Sequence, residues 1–514
     1  MHKSPIRLFF VGTIAIGLSS CSSLPSNPSK PISLSHKQVS KGILADTHKA
    51  TMKNIPTGNS AFMLINNNTE ALRWRLALID EAKNSIDLQV FIWSGDESGR
   101  LIISRVLAAA KRGVRVRLLI DDMPKDWPDH YTSLFAYQEN VSIHRFNPGR
   151  IRKGVIFRSL QMLTQFRTLN RRMHNKQMIV DGSWAIVGGR NIGNPYFGLS
   201  NKYNNRDLDM ILTGPLISDL AEDFDEYWNA DASYPGRYMY KKLSTRKSEK
   251  YLKKFYDIVE KDKKLFNKTT IPANRINWKR EMSSLPDRMM PGKAHSLSDE
   301  PVVKNANGPR LIDLLGELNI QAKEIRIITP YMIPSIGMLA SLASANKNNQ
   351  TVSILVPAMD SNNHTMAHSS YKKYRKRLLE RGVELFEFSG YPSDEVRKNS
   401  TTAPLESKFI SLHTKAFIFD RDTVLLGSLN LDPRSININT EHMIVIDSPE
   451  LAEEMIADFE TMTNDKNAWK VYLDEDSNIR WKKDHKILKL QPAQGVMQRT
   501  RASFYRFLPI ESQL

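Results

Sequence analysis

The chain has 514 residues, too many for one hydrophobic core to keep growing, so two domains are expected. Its 41% hydrophobic content is enough for ordinary globular cores, while 73 Lys and Arg against 55 Asp and Glu leave a net charge of +18 that favours an anionic partner. Nucleic acid and anionic lipid headgroups both qualify, and so does a basic surface that only keeps the protein in solution.

At the N-terminus, Lys3 and Arg7 precede an apolar run, Leu8 to Leu18, that is short for a bilayer span and reads as a secretory signal. The run ends in Leu18-Ser19-Ser20-Cys21, which resembles a bacterial lipobox, so residues 1–20 are expected to be removed and Cys21 lipidated. Cys21 is the only cysteine and cannot form an internal disulfide, which leaves lipid attachment as its use after export. An incidental Cys in an ordinary signal peptide is the alternative. Residues 21–56, rich in Ser, Pro, Lys and Asn, read as a flexible tether. Ser22 is not the Asp that retains enteric-type lipoproteins at the inner membrane. The expected address is therefore the bacterial cell envelope, with the periplasmic face of the outer membrane favoured.

The body of the chain is written twice. Ser85 to Trp93 reads as a buried strand, and Glu324 to Met332 repeats its character 239 residues later. Each is followed by a helix, Leu101 to Arg112 or Met338 to Ala345, and then by a second strand, Val114 to Ile120 or Val352 to Val356. Strand, helix, strand is a parallel crossover unit. The motif His174-Asn175-Lys176 with Asp181 recurs as His413-Thr414-Lys415 with Asp420, again 239 residues apart, and Asn191 recurs as Asn430 at the same offset. The implied fold class is α/β, with two homologous α-β-α sandwich domains facing each other across a pseudo-twofold. The expected bounds are 57–235 and 301–470, with a linker or lid at 236–300 and a C-terminal tail at 471–514.

A phosphodiester resists attack because its oxygens are negative and its alkoxide leaving group is poor. Cleavage requires a neutral nucleophile, fixed positive charge on the non-bridging oxygens and an acid for the leaving group. On an extended strand, residues two apart project from one face, so each copy supplies an imidazole beside an ammonium: His174 with Lys176, and His413 with Lys415. Gly188-Gly189-Arg190-Asn191 and Gly427-Ser428-Leu429-Asn430 add close backbone approach and an Asn donor for phosphate oxygen. Each imidazole needs a group to hold its tautomer, and the downstream carboxylates Asp207 and Glu441 are the candidates, with Asp209 as substitute if the strand register shifts by two. Asp181 and Asp420 end their strands and read as turn-stabilising rather than chemical.

These paired motifs, with Arg434-Ser435, resemble the phospholipase D superfamily over roughly residues 56 to 470. The resemblance implies a two-step route in which His174 attacks phosphorus to give a phosphohistidine, and His413 protonates the leaving alcohol and then deprotonates the acceptor. It implies no metal and no cofactor, and places Gly189, Ser428 and Arg434 at the substrate. The longer strings Leu169 to Lys176, Val187 to Gly193 with Tyr196-Phe197, and Leu508 to Glu511 are similar to C-type bacterial cardiolipin synthases and their lipoprotein relatives. By that resemblance the donor is phosphatidylglycerol or another membrane phospholipid and the acceptor a second lipid's alcohol. The lipobox leaves water or a periplasmic acceptor open.

Ile151 to Arg172 places apolar residues at helical spacing with arginine flanks, so it reads either as a basic amphipathic helix on anionic lipid or as a helix packed on its own domain. His364 and His368 are four apart without a third ligand, which disfavours a metal site. His368 and Tyr371 resemble family residues near the substrate cleft and are expected as substrate contacts. A lipid-anchored phosphatidyltransferase is the leading expectation. The rivals are a hydrolytic phospholipase D that makes phosphatidic acid, a nucleic-acid phosphodiesterase, which the envelope address makes unlikely, and an inactive membrane-tethered binding protein. No protein partner is indicated.

Overall fold

An apolar run buried on both faces suits a parallel strand covered by helices on either side. Ser85–Val90, Arg115–Asp121 and Val141–Phe146 are such strands and pair in parallel. From Ser85–Val90 the order continues antiparallel through Gln177–Val180, Trp184–Gly188 and Asp209–Thr213 to Ser60–Ile65. The second half repeats this order with Glu384–Phe388, Thr351–Pro357, Glu324–Ile328, Ala416–Phe419, Thr423–Gly427 and His442–Asp447. These relations come from a computed structural model that describes residue 24 and residues 28–123, 127–152, 155–301, 310–313, 315, 322–362 and 364–505. Residues 1–20, Cys21 and the string Leu508 to Glu511 lie outside the described residues.

The two sheets share a strand. Met290–Ser298 pairs with the first half through residues 290–292 and with His442–Asp447 through residues 293–298, giving one 18-stranded sheet. Successive side chains on a strand alternate faces. Leu118 accordingly packs in the first half's own core, below helices Asn68–Glu81 and Glu97–Lys111, while Leu119 points the other way. On that side Leu119, Phe146 and Ile179 join Leu355, Ile418 and Ile446 in a core common to both halves, capped by helices Leu216–Asn229 and Pro449–Thr463. A small parallel ladder, Tyr203–Arg206 with Phe409–Leu412, and a bridge between Met173 and Thr440 also cross between the halves.

Three stretches expected to lie outside the domains are built into them. Residues 21–56 are no free tether where they are described: Ser35 binds Asp225 through its N–H at 2.7 Å, Val39 N–H donates to the Asp181 carbonyl at 3.1 Å, and Ile43–Met52 is a helix. Local polarity hid this, because the strap is held by backbone groups that any sequence carries. Within 236–300, the helix Thr245–Phe266 buries Phe255, Val259 and Phe266, and the shared strand Met290–Ser298 follows. Beyond 470, strands Ala468–Leu473, Ile479–Lys483 and Lys486–Leu488 extend the second sheet at its outer edge.

Asp181 and Asp420 each follow a motif strand with φ of 54° and 51°, a left-handed conformation that Asp tolerates better than most residues. The Asp181 carboxylate accepts from the N–H groups of Lys83, Asn84 and Ser85 at 2.8, 2.7 and 2.9 Å. Asp420 accepts from Lys323 and Glu324 at 2.8 and 2.9 Å. Each carboxylate thus ties its own strand's end to the start of the neighbouring strand. At about 3.3 Å per residue, Asp181 lies roughly 16 Å along the chain from Lys176. Asp181→Ala is expected to lower stability by about 3 kcal/mol, read as a denaturation midpoint, while the folded fraction keeps its specific activity. Lost turnover with an unchanged midpoint would put Asp181 in the chemistry instead.

Candidate active site

His174 and Lys176 stand just before strand Gln177–Val180, and His413 and Lys415 just before Ala416–Phe419, so the i, i+2 alternation turns each pair toward one face. At each imidazole the backbone is stitched to the other half. The His174 N–H donates to the Thr440 carbonyl at 2.9 Å, and the His413 N–H donates to the Arg206 carbonyl at 2.8 Å. Both lysines are buried, and each lies in the other's electrostatic field or in that of the other's carboxylate. The two motif copies therefore form one centre.

The carboxylates are crossed. Glu441, from the second half, places Oε2 2.8 Å from His174 Nδ1, and Asp207, from the first half, places Oδ2 2.6 Å from His413 Nδ1. The Ser428 carbonyl also faces His174 Nδ1 at 3.0 Å. A carbonyl oxygen can only accept, so Nδ1 carries the proton and the Nε2 lone pair of His174 is free. Gly189 is required because an added Cβ would come within 2.3 Å of Asp207 Oδ1. In the other half Ser428 instead donates its hydroxyl to Glu441 and accepts from the His442 N–H at 3.0 Å. Asp209 is taken by Arg75 and Arg190 at 2.8 and 3.2 Å and orients no imidazole.

Burial and the ammonium groups hold both imidazoles below their ordinary range, His413 at about 3. Burial likewise lowers Lys176 to about 7 and Lys415 to about 8, against the pull of Glu441 and Asp207. The carboxylates differ from one another. Burial raises Glu441 to about 7, whereas Asp207 is buried too, yet His413, Lys415 and Arg190 hold it below the usual carboxylate range.

Phe91 meets His174 edge-on at 5.1 Å, and Tyr196 meets His413 at 5.3 Å. Asn191 accepts from the Ile92 N–H and donates to the Tyr196 hydroxyl, both at 3.0 Å, while Asn430 is buried with an Oδ1 that finds no partner among the described residues. Arg434 donates to Asn170 Oδ1 and O at 2.8 and 3.0 Å and contributes to the low pKa of His174. His368 and Tyr371, expected at the substrate, belong to a buried network instead. The Tyr371 hydroxyl and Arg375 Nε bind Glu387 Oε1 at 2.9 and 2.6 Å, Trp481 binds its Oε2 at 2.9 Å, and His368 faces Gln491. His364, one turn earlier, meets Tyr331 edge-on at 5.9 Å and lies in the field of Lys415.

Sequence reasoning missed two acids. Asp121 accepts from the Met173 N–H at 2.9 Å and from Arg172 at 3.2 Å, fixing the backbone that leads into His174. A carboxylate ending a buried parallel strand was its available signal. Asp432 caps the short helix Pro433–Asn437 through Ser435 N–H at 2.8 Å, and burial pushes it up to about 6. Among the described residues no cluster of three His, Cys, Asp or Glu side chains is spaced to hold a metal ion.

The family described as cardiolipin synthase, PLD-like domain, matches residues 76–228 and 314–463, one stretch in each half. Cardiolipin synthase C of Escherichia coli (strain K12) is 34% identical over 473 residues, which cover 86% of this chain and 93% of the relative. An uncharacterised protein of Helicobacter pylori (strain ATCC 700392 / 26695) is 31% identical over 411 residues, covering 77% of this chain and 78% of its own. Among solved structures, phosphatidylserine synthase of Haemophilus influenzae Rd KW20 matches 91% of this chain and all of its own with a TM-score of 0.58. At 14% identity that likeness speaks for the fold.

The lysine values set a pH dependence. Lys176 loses its charge as pH rises through about 7 and Lys415 as it rises through about 8, so kcat/KM for an anionic phosphodiester is expected to fall from about pH 7 upward. A bound anion stabilises the ammonium, so the same limb in kcat is displaced to higher pH. A kcat/KM profile that stays flat to about pH 9.5 would contradict a lysine poised in this way.

Proposed function

Because the chain belongs to the PLD-like family of cardiolipin synthases, we propose that it moves a phosphatidyl group between membrane phospholipids at the His174–His413 centre, through a phosphohistidine. It is a phosphatidyltransferase of the phospholipase D type. The observation that carries the reading is the crossed pairing, in which each imidazole is oriented by the other half's carboxylate at 2.8 and 2.6 Å, with two ammonium groups beside them.

Before substrate binds, burial and the two ammonium groups keep both imidazoles neutral. A phosphodiester anion offsets that field, and the non-bridging oxygens take up Lys176 and Lys415. His413, beside the ionised Asp207, is then the imidazole that gains a proton. His174 sits beside Glu441, whose own pKa is raised to about 7, so it stays neutral with Nε2 free. The His174 Nε2–phosphorus bond forms, the bond from phosphorus to the headgroup oxygen breaks, and His413 gives its Nε2 proton to that oxygen. In the second step His413 takes the proton of an acceptor hydroxyl, the acceptor oxygen bonds to phosphorus, and the phosphorus–nitrogen bond breaks. Asn191, Asn430 and Arg434 line the approach to the phosphate. Phosphatidylglycerol serves as donor and a second lipid's alcohol as acceptor.

The lipobox-like Leu18 to Cys21 supports an enzyme exported by a signal at residues 1–20 and anchored by acylated Cys21, with the periplasmic face of the outer membrane as its address. No helix among the described residues is long and apolar enough to cross a membrane.

Purified protein with labelled phosphatidylglycerol is expected to yield cardiolipin and glycerol, and rapid denaturation at neutral to alkaline pH, where a phosphorus–nitrogen bond survives, should trap labelled protein in the wild type and none in His174→Ala. Phosphatidic acid as the sole lipid product would replace transfer by hydrolysis, and turnover surviving in His174→Ala would remove the proposed nucleophile. Cys21→Ala is expected to move the protein from the membrane fraction to the soluble one. Unchanged retention would mean that another element holds it there.

A further inference from the structure

The segment between the anchor and the body has a defined course. It starts near the end of the fold away from the imidazoles, where Gly182 adopts φ of 58° and a Cβ there would come 2.5 Å from the His36 carbonyl. Going toward the N-terminus, Arg115 donates to the Leu34 carbonyl at 2.7 Å, and the buried Arg117 donates to the Ser33 carbonyl at 2.8 Å. Asp225 receives both the N–H and the hydroxyl of Ser35, at 2.7 and 3.0 Å. Lys30 then donates to the Ser233 carbonyl at 2.8 Å, and the buried Leu24 gives its N–H to the Arg150 carbonyl at 2.9 Å. Arg150 follows strand Val141–Phe146, whose C-terminal end lies on the same side of the sheet as Asp121, the partner of Met173 and Arg172. The described residues of the segment thus meet both ends of the first half's sheet, and Leu24 stands at the end that carries the imidazoles.

Next to that end lies the helix Val155–Thr164, followed by Phe166–Leu169. Gln161, Leu169 and Arg172 are buried, and Gln161 accepts from the Ile151 N–H at 3.0 Å, so one side is fastened to the body. The other side is open: Leu163 is 79% exposed and Phe166 40%, with Arg167 exposed between them and Leu169. Two large exposed apolar side chains beside the exposed Arg167 suit a helix that lies on anionic lipid.

We propose that residues 28–40 act as a strap that carries the acyl anchor to the rim of the centre. Anchor and helix together then seat one face of the protein, formed by Leu163, Phe166 and Arg167, on an anionic phospholipid bilayer. The surface needs no flexible search, because strap and helix present the cleft to the membrane at a set orientation. The strap also limits how far the body can swing about Cys21. This inference rests on the lipoprotein reading above.

The test uses the full acylated chain on vesicles of phosphatidylglycerol and phosphatidylethanolamine. In Leu163→Cys the new thiol takes an environment-sensitive fluorophore, and Asn349→Cys, in a turn at the far end of the second half, is the control. Spin-labelled lipid is expected to quench the probe at 163 by about twofold or more and to leave the probe at 349 unchanged, because an interfacial helix sinks roughly 5–10 Å into the headgroup region. No quenching at 163, or equal quenching at both positions, would overturn the orientation. Quenching by a labelled second copy in place of labelled lipid would assign the face to self-association and overturn it as well. Intact mass distinguishes the two levels of the idea. An unacylated N-terminus defeats the lipoprotein reading and the strap's role with it, whereas an acylated chain with an unquenched 163 defeats the orientation alone.

Discussion

Each imidazole of the centre is oriented by a carboxylate that the other half of the chain supplies, and the rest of the architecture follows from keeping those two pairs in place. A buried carboxylate beside a buried imidazole is favourable only when geometry is held to a few tenths of an ångström, since desolvation costs several kcal/mol per charge. Neither half can hold that geometry alone. The shared strand Met290–Ser298, the ladder between Tyr203–Arg206 and Phe409–Leu412, and the common core around Leu119, Phe146 and Ile418 lock the halves in one register.

Duplication also explains why the two sides differ. Once the copies share a centre, they face different tasks and need not stay alike. Gly189 lets Asp207 lie flat against the backbone, where His413, Lys415 and Arg190 keep it ionised, while Ser428 fills the equivalent place and binds Glu441, whose pKa is raised by burial. An ionised partner favours an imidazole that carries a proton, and a partner near neutrality favours one that does not. Two copies of one motif thus present two unlike imidazoles, through the environment of each carboxylate.

The arrangement further accounts for the concentration of cations at the centre. Lys176 and Lys415 are buried together, and burial lowers both from the ordinary lysine range against the pull of Glu441 and Asp207. Such a site is completed by an anion, and a phosphodiester is the anion whose shape and chemistry fit a pair of imidazoles on opposite sides. A centre of this kind has to meet its lipid at an interface, and Leu24, ahead of the strap at residues 28–40, is tied to Arg150 at the end of the sheet that carries it.

Several features were legible in the amino-acid order because they depend on spacing along the chain. The 239-residue repeat, the i, i+2 placement of His and Lys, and the strand-helix-strand units need only the period of a strand and of a helix. The turn role of Asp181 and Asp420 was readable for the same reason, since both end a strand. Other features depend on which distant backbone happens to lie alongside. The strap at residues 28–40 looked like a tether because its partners, Asp225, Arg117 and Ser233, are far away in sequence, and His368 and Tyr371 looked like cleft residues although Gln491 and Glu387 take them up inside the second half. Sequence by itself determined that there are two imidazole–ammonium pairs and which carboxylates could serve them. Only the tertiary structure decided that Glu441 serves His174 and Asp207 serves His413, because that choice is made by the packing of one half on the other and leaves no trace in local spacing.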